Sequence, residues 1–474
     1  MKAFDALILG GGTAGCVLAA RLSEDAGRRV CLIEAGPDYG PYEAGRWPAD
    51  MRDALGVPDS HDWRNSEHRL SVARIIGGCS SHNFCAMALP LAADFDDWGV
   101  PGWSGAELEP HIGRVLEALP AHRFEDEALH PWFAALREAA AEIGLPVHED
   151  LNAPDAVEGI GKLPLNVRGT TRWNASFAYL DRARDRTNLT VMAETPIDRI
   201  EIEDDRVASV TTRSGDRLTA ETVAVCAGAY GSPALLLRSG IGPEPELRRH
   251  GIEVRADLPV GAHLREHFGV PLRWSPSGEM TARIERHLAD RPGFPFNGVI
   301  RARSGRCPEG RWDLILLIAL FPGPVLSSSV MLMRPRWSGE VRLRSADPDE
   351  LPLVSELALD REEDSAAAFE GIELGRRLAG TAALSGLIDG ELTPGPEATP
   401  ESVRAGGRDA LTTFFHPACT CAIGAVAEPD GRVRGIDNLY VADASVLPEI
   451  PPVPTNLTVL AAAEKIAAGL RAGG

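Results

Sequence analysis

Residues 3–35 restrict this chain more than any other stretch. Ala6, Leu7, Ile8 and Leu9 form a short, wholly apolar run, as a strand buried on both faces requires. Gly10-x-Gly12-x-x-Gly15 follows at once, and residues 13–25 read as a helix with Ala14, Val17, Leu18 and Leu22 on one face. Val30 to Ile33 is a second strand, which Glu34 ends. Gly10 allows a tight turn, Gly12 lets the backbone approach a pyrophosphate, and Gly15 lets the helix pack close to the strand. The helix N-terminus, where Thr13 and Ala14 lie, offers N–H groups and partial positive charge to phosphates. Glu34, nineteen residues after Gly15, can accept hydrogen bonds from a ribose. The pattern predicts a doubly wound α/β unit holding a dinucleotide, without separating NAD from FAD.

The 474 residues leave room for two or three domains. A net charge of -20 argues against nucleic acid and anionic membrane surfaces as partners. The longest apolar run, residues 314–321, is too short to span a bilayer, and Asp5 sits where a leader would need apolar residues. The expectation is a cytoplasmic protein. Eight cysteines are scattered without a disulfide framework. Cys419-x-Cys421 has no partner pair at zinc spacing, so it reads as packing, and no metal is expected.

Residues 39–70, rich in Pro, Asp, Arg and Trp, read as a long surface excursion. Within ARIIGGCSSHNFC at 73–85, Gly77 and Gly78 permit close backbone approach, and Ser80 and Ser81 can cap a helix running through Ala86 and Ala88. Residues 108–119, 131–143 and 174–184 read as helices. Strands at 189–192, 197–202, 207–212 and 223–226 suit a meander covering the far side of the sheet. In AGAYGSPALLLRSGIG, which starts at Ala227 and Gly228, Ser232-Pro233 opens a helix. Further strands are expected at 270–274, 299–303, 314–320 and 341–343, and a helix at 362–379. No repeat or linker separates the parts, so the second unit interrupts the first. Motif density returns at FFHPACT (414–420), LYVADAS (439–445) and PPVPTN (451–456), before a last helix at 457–470. Asp443 ends a short buried strand, the place where ligands bind in parallel sheets.

Taken together, GGGTAG with Glu34, ARIIGGCSSHN, GAYGSPALLLRSGIG, FFHPACT, and NLYVADASVLP with PTN resemble the glucose–methanol–choline (GMC) family of flavoprotein oxidoreductases, in family order and over nearly the whole chain. The resemblance implies a Rossmann-like FAD-binding domain (1–150, 170–262 and 417–474). Into it is inserted an α+β substrate domain (151–169 and 263–416) built on an antiparallel sheet with flanking helices. It implies FAD, with Gly10, Gly12, Gly15 and Glu34 at the ADP half and Ile197 at adenine. Gly77, Gly78, Ser80 and Asn83 would lie near the isoalloxazine ring, and Asp443 and Ala444 near the ribityl and pyrophosphate. Thr13, Ala14, Ala35, Arg74, Ala227, Gly228, Thr455 and Asn456 complete the implied cofactor contacts.

The family's catalytic histidine is matched by His416, and its His or Asn partner by Asn456. The implied reaction is oxidation of a CH–OH group to an aldehyde or ketone, with oxygen or another electron acceptor as second partner. A lyase on the same fold stays open as the alternative, as does a homodimer. Cys-Ser-Ser-His-Asn is most similar to choline oxidase-like members, which implies a covalent bond from His82 to FAD; a non-covalent neighbour is the other reading. Two departures stand out. Phe84 replaces a small hydroxyl residue. The choline-binding acid falls on a strand where Arg301 and Arg303 alternate, so either that face meets solvent or Arg303 points into the pocket.

Overall fold

The computed structural model describes residues 2–58, 60–63, 72–291, 293–321, 323 and 325–472. Strand β1 (Lys2–Leu9) lies parallel to β2 (Val30–Ile33), with helix α1 (Thr13–Leu22) between them in sequence. β3 (Leu189–Met192) pairs parallel with β2. On the other side of β1 runs β6 (Arg217–Val225), which continues β4 (Ile197–Glu203) and β5 (Arg206–Thr212). The sheet order is β3-β2-β1-β6-β5-β4. The meander therefore branches off the sheet edge at Arg217 and Leu218 rather than covering its far side. The other end of β6 is left open for a parallel strand, Leu439–Val441.

A second sheet is antiparallel along its main path except at its last pair, where Val147–His148 runs parallel to Gly159–Lys162. Its strands are β7 (Phe268–Val270), β8 (Arg273–Pro276), β9 (Gly298–Ala302), β10 (Leu314–Ala319), β11 (Leu326–Leu332), β12 (Ile388–Thr393) and β13 (Thr412–Thr413). The order β12-β8-β11-β10-β9 continues into Gly159–Lys162 and Val147–His148, and β7 bridges β11 and β13. The expected strand at 270–274 is thus two strands, β7 and β8. The helices Pro131–Glu142 and Glu362–Ala379 bury Trp132, Phe133, Ala368 and Ile372 in the core of this second sheet.

Backbone contact explains the glycine spacing. A Cβ on Gly15 would collide with the Gly10 carbonyl oxygen, so only glycine lets α1 lie against the turn. Gly78 has a φ of 54°, and a Cβ there would sit 2.6 Å from the Gly12 Cα. The loop 73–83 is thereby pressed directly on the dinucleotide turn.

Several elements depart from expectation. After the 3-10 turn Gly78–Ser81 no helix follows through Ala86 and Ala88. The Asn83 Oδ1 accepts from the Cys85 N–H, and the buried Arg172 donates to the carbonyls of Ser81 and Asn83. Those are groups a continuing helix would need. Residues 176–180 form a π-helix inside the expected helix 174–184. The excursion at 39–70 is anchored by Trp47 and Met51, both buried, with Trp47 and Tyr42 edge-on to Phe177; its residues 59 and 64–70 lie outside the described residues.

Helix α2 (Gly228–Arg238) starts well before Ser232-Pro233, so Pro233 lies inside it. Proline has no N–H to offer the Ala229 carbonyl. The Thr420 hydroxyl donates to that carbonyl instead, at 2.7 Å. Thr420→Val keeps the shape but leaves the carbonyl unpaired and buried. It should lower stability by about 1–3 kcal/mol, measured as a fall in the urea midpoint; an unchanged midpoint would mean the carbonyl has another donor.

Candidate active site

The two sheets enclose a cavity of 1240 Å³, larger than the roughly 300–1,000 Å³ of a small-molecule pocket. Its first-sheet wall includes Gly10, Gly12, Thr13, Ala14, Glu34 and Ala35, joined by Arg74, Gly78, His82, Asn83 and Ile197. Ala227, Gly228, Asp443 and Ala444 continue it, and Thr455, Asn456 and His416 line it as well.

Three expected members do not. Gly15 is spent on helix packing, and Gly77 holds a left-handed turn with a φ of 88°. Ser80 is buried, its hydroxyl donating to the Gly77 carbonyl and accepting from the Ala175 N–H; a small hydroxyl inside a 3-10 turn closes the turn instead of facing outward. Arg303 is also outside the cavity. It is exposed and pairs with Glu158 at 3.5 Å, because β9 ends at Ala302. Its strand neighbour Arg301 is 2% exposed, so the two do not share a solvent face.

Each carboxylate along the first wall is held by main-chain N–H groups. Glu34 accepts from Gly11 at 2.8 Å and Gly36 at 2.7 Å, and burial still pushes its carboxyl up to about 6. Asp443 accepts from the Gly228 and Ser445 N–H groups and from the Ser232 and Ser445 hydroxyls. Burial raises its pKa against those four donors.

His416 follows β13 and projects beside Phe414, ring centroids 4.3 Å apart. Its Nδ1 lies 2.9 Å from Nδ1 of His267, and its N–H donates to Oε1 of Glu266 at 2.6 Å. Burial pushes the His416 imidazolium down to about 3 and lowers His267 well below the usual imidazole range, while it pushes the Glu266 carboxyl up to about 8. At neutral pH all three are uncharged. Two neutral imidazoles that share an Nδ1–Nδ1 bond hold one proton between them, so Nε2 of His416 is the nitrogen available to the cavity. Sequence reasoning missed Glu266 and His267; their only signal was two adjacent ionisable residues entering an apolar strand.

Asn456 opens helix α3 (Asn456–Ala472). Its Oδ1 accepts from the Thr13 hydroxyl at 3.3 Å, and its Nδ2 is buried without a partner among the described residues. Among the described residues no hydrogen bond joins Asn456 to His416. His82 is nearly buried, its Nε2 donating to the Ser60 carbonyl at 3.0 Å, and burial lowers its pKa. No group of His, Cys, Asp and Glu among the described residues could hold a metal ion, and no helix there is long and apolar enough to cross a membrane.

The N-terminal model of the GMC oxidoreductases matches residues 4–269 and the C-terminal model matches 335–463. The chain belongs to the GMC oxidoreductase family. It is 31% identical to choline oxidase of Arthrobacter globiformis, over 98% of this chain and 94% of that protein. It is 30% identical to the mitochondrial choline dehydrogenase of Homo sapiens, over 97% and 88%. Pyridoxine 4-oxidase from Mesorbium loti superposes with a TM-score of 0.86 at 27% identity, covering 99% of both chains. This GMC oxidoreductase is an FAD-dependent enzyme acting on a CH–OH group; nothing among these relatives supports the lyase alternative.

The cavity suits FAD. Gly12 caps α1 with no side chain, leaving the first N–H groups of the helix to a phosphate. The Gly12–Gly78 contact keeps side chains off the wall there, and the volume exceeds that of a substrate alone.

Glu266 makes stability depend on pH. Its folded pKa of about 8 lies above the unfolded value, so the folded state binds the extra proton between the two. Stability is therefore full below the unfolded pKa and falls as pH rises through about 8. Glu266→Gln removes that slope. It should raise stability at pH 8 relative to pH 5 by on the order of a few kcal/mol compared with the parent, read from urea midpoints at both pH values. Parallel pH profiles would mean the carboxyl is ionised in place.

Proposed function

We propose that His416 takes the hydroxyl proton of the alcohol. FAD, when bound, supplies the acceptor for the hydride that leaves the carbon. The observation carrying this reading is the 2.9 Å contact between the Nδ1 atoms of His416 and His267. With its proton on Nδ1, His416 presents a lone pair at Nε2. After taking the substrate proton it keeps the same bond, because His267 still accepts through Nδ1. Phe414 and the buried strand behind it hold the ring in one orientation, which limits reorganisation as the proton moves. Asn456 fits a positioning role: a buried Nδ2 with no partner among the described residues calls for an oxygen inside the cavity.

The cavity lining supports the cofactor contacts expected of Gly10, Gly12, Thr13, Ala14, Glu34, Ala35 and Arg74 at the ADP half. The two cores support a division into an FAD-binding and a substrate unit. Trp132 and Phe133 pack into the second core, which supports counting helix Pro131–Glu142 with the substrate unit. The absence of any disulfide among the eight cysteines suits a reducing, cytoplasmic setting.

His416→Ala should lower kcat/KM for the best alcohol by about 10²–10⁴-fold, the usual worth of a positioned acid–base group, with FAD still bound. Near-normal anaerobic bleaching of the flavin by that alcohol would remove His416 from the reaction. For His82 we infer a covalent bond to FAD. Burial favours the neutral, nucleophilic form of its ring, and the ring lines the cavity. Acid precipitation should leave the yellow colour in the pellet, with an FAD-sized mass increment on the peptide carrying His82. All flavin in the supernatant would make His82 a neighbour only.

A further inference from the structure

The wall that the second sheet gives the cavity carries charge of one sign. Arg273 and Arg301 line it, and no Asp or Glu from that sheet does. The acids elsewhere on the lining are engaged or remote from this wall. Glu34 and Asp443 are taken up by the donors described above. Asp349 pairs with Arg213, and Glu350 lies next to it in the same loop.

Arg301 is the unusual member. It is 2% exposed, yet no carboxylate pairs with it among the described residues. The two acids that act on it at a distance are already matched: Asp94 by Arg311 and Arg334, and Asp150 by Arg123. Its guanidinium lies over the Trp312 ring, 4.1 Å from the centroid. Its Nη1 donates to the carbonyls of Leu151 and Ala156. Nε and Nη2 donate to no group among the described residues. These two atoms form the side-on fork of a guanidinium, the edge that matches both oxygens of one carboxylate. A buried cation without an anion is costly, and burial lowers the pKa of Arg301 only to about 10, so it keeps its charge at neutral pH.

Arg301 also stands in a row that leads to His416. Arg301 on β9, Ile315 on β10 and Met331 on β11 are opposite one another, Met331 is opposite Gly269 on β7, and Gly269 is opposite Thr412 on β13. Four strand spacings separate the ends, about 19 Å between backbones. Arg301, Ile315, Met331 and Thr412 all line the cavity, and His416 follows four residues after Thr412. The stretch between the two polar ends is apolar.

We propose that the substrate is an alcohol bearing a carboxylate, bound through the Nε–Nη2 edge of Arg301 and separated by an apolar spacer from the hydroxyl that His416 deprotonates. The inference rests on the reading of His416 given above. It also sets this chain apart from its choline-named relatives, since a quaternary ammonium would meet two arginines and no acid on this wall.

The test uses the FAD-loaded enzyme and a series of omega-hydroxy carboxylates from hydroxybutyrate to hydroxydecanoate, each compared with the 1-alkanol of the same length and with choline. Anaerobic flavin bleaching measures turnover, and calorimetric titration with hexanoate measures carboxylate binding without turnover. We expect one length of hydroxy carboxylate to exceed its matched alkanol in kcat/KM by tenfold or more. That ratio should fall at least tenfold in Arg301→Gln and be only partly restored in Arg301→Lys, which keeps the charge but not the fork. If Arg301→Gln does not fold, competition by hexanoate against alkanol turnover in the parent enzyme decides the matter. Bleaching by alkanols or choline with no carboxylate advantage and no hexanoate binding would overturn the inference and leave the alcohol chemistry standing. Hexanoate binding that weakens in Arg301→Lys, with no alcohol bleaching the flavin, would keep the anion site and overturn the reading of His416.

Discussion

Asp443 is the interaction through which the two ends of this chain become one site. A single buried carboxylate accepts from Gly228 at the start of α2, from Ser232 one turn into it, and from Ser445 on its own segment. The donors come from stretches more than two hundred residues apart. The first two belong to the strand–helix turn that β6 feeds, the last to the 3-10 turn Ala444–Val446 that follows the parallel strand laid beside β6. An anion at a helix N-terminus is favourable, and a buried one must be hydrogen-bonded at every lone pair it can offer. Meeting that demand fixes the C-terminal block over the dinucleotide turn. α3 then follows with Asn456 against Thr13, and Arg21 of α1 holds the buried Glu464 of α3.

The chemistry of the site follows from dryness. His416, His267 and Glu266 lie together where charge is penalised, and burial moves all three toward their neutral forms. Such a place suits the proposed base, which must be uncharged to act, and the nearby imidazole is placed to accept a hydrogen bond before and after a proton transfer without itself being ionised. The cost appears as polar atoms left without a hydrogen-bond partner among the described residues: Oε2 of Glu266, Nε2 of His267 and Nδ2 of Asn456. Such atoms cluster where a protein is built to meet something other than itself.

Much of this was legible in the chain because the relevant constraints are local. Gly10, Gly12 and Gly15 act within one turn, Glu34 ends the next strand, and the helix Glu362–Ala379 was read with its observed bounds. Errors arose where a distant group took over a local preference. Ser80 and Ser81 looked like helix caps, but Arg172 draws the carbonyls of Ser81 and Asn83 away. Pro233 looked like a first helical residue, but Thr420 supplies the donor that lets it lie inside α2. The alternation of Arg301 and Arg303 offered a shared solvent face or Arg303 in the pocket, whereas Arg303 is exposed and Arg301 is the one turned inward.

By itself the sequence determined the dinucleotide unit and the family and singled out His416 as the candidate base, because each depends on residue type at fixed short spacing: backbone room at glycines, a strand end carrying an acid, a histidine within a motif. Tertiary structure alone decided which group meets His416, and it is His267, brought up by β7 pairing with β13. It also decided which arginine of β9 lines the cavity and how the meander leaves the sheet. These outcomes depend on strand register and on which buried polar groups find partners, and both are settled by residues far apart in the chain.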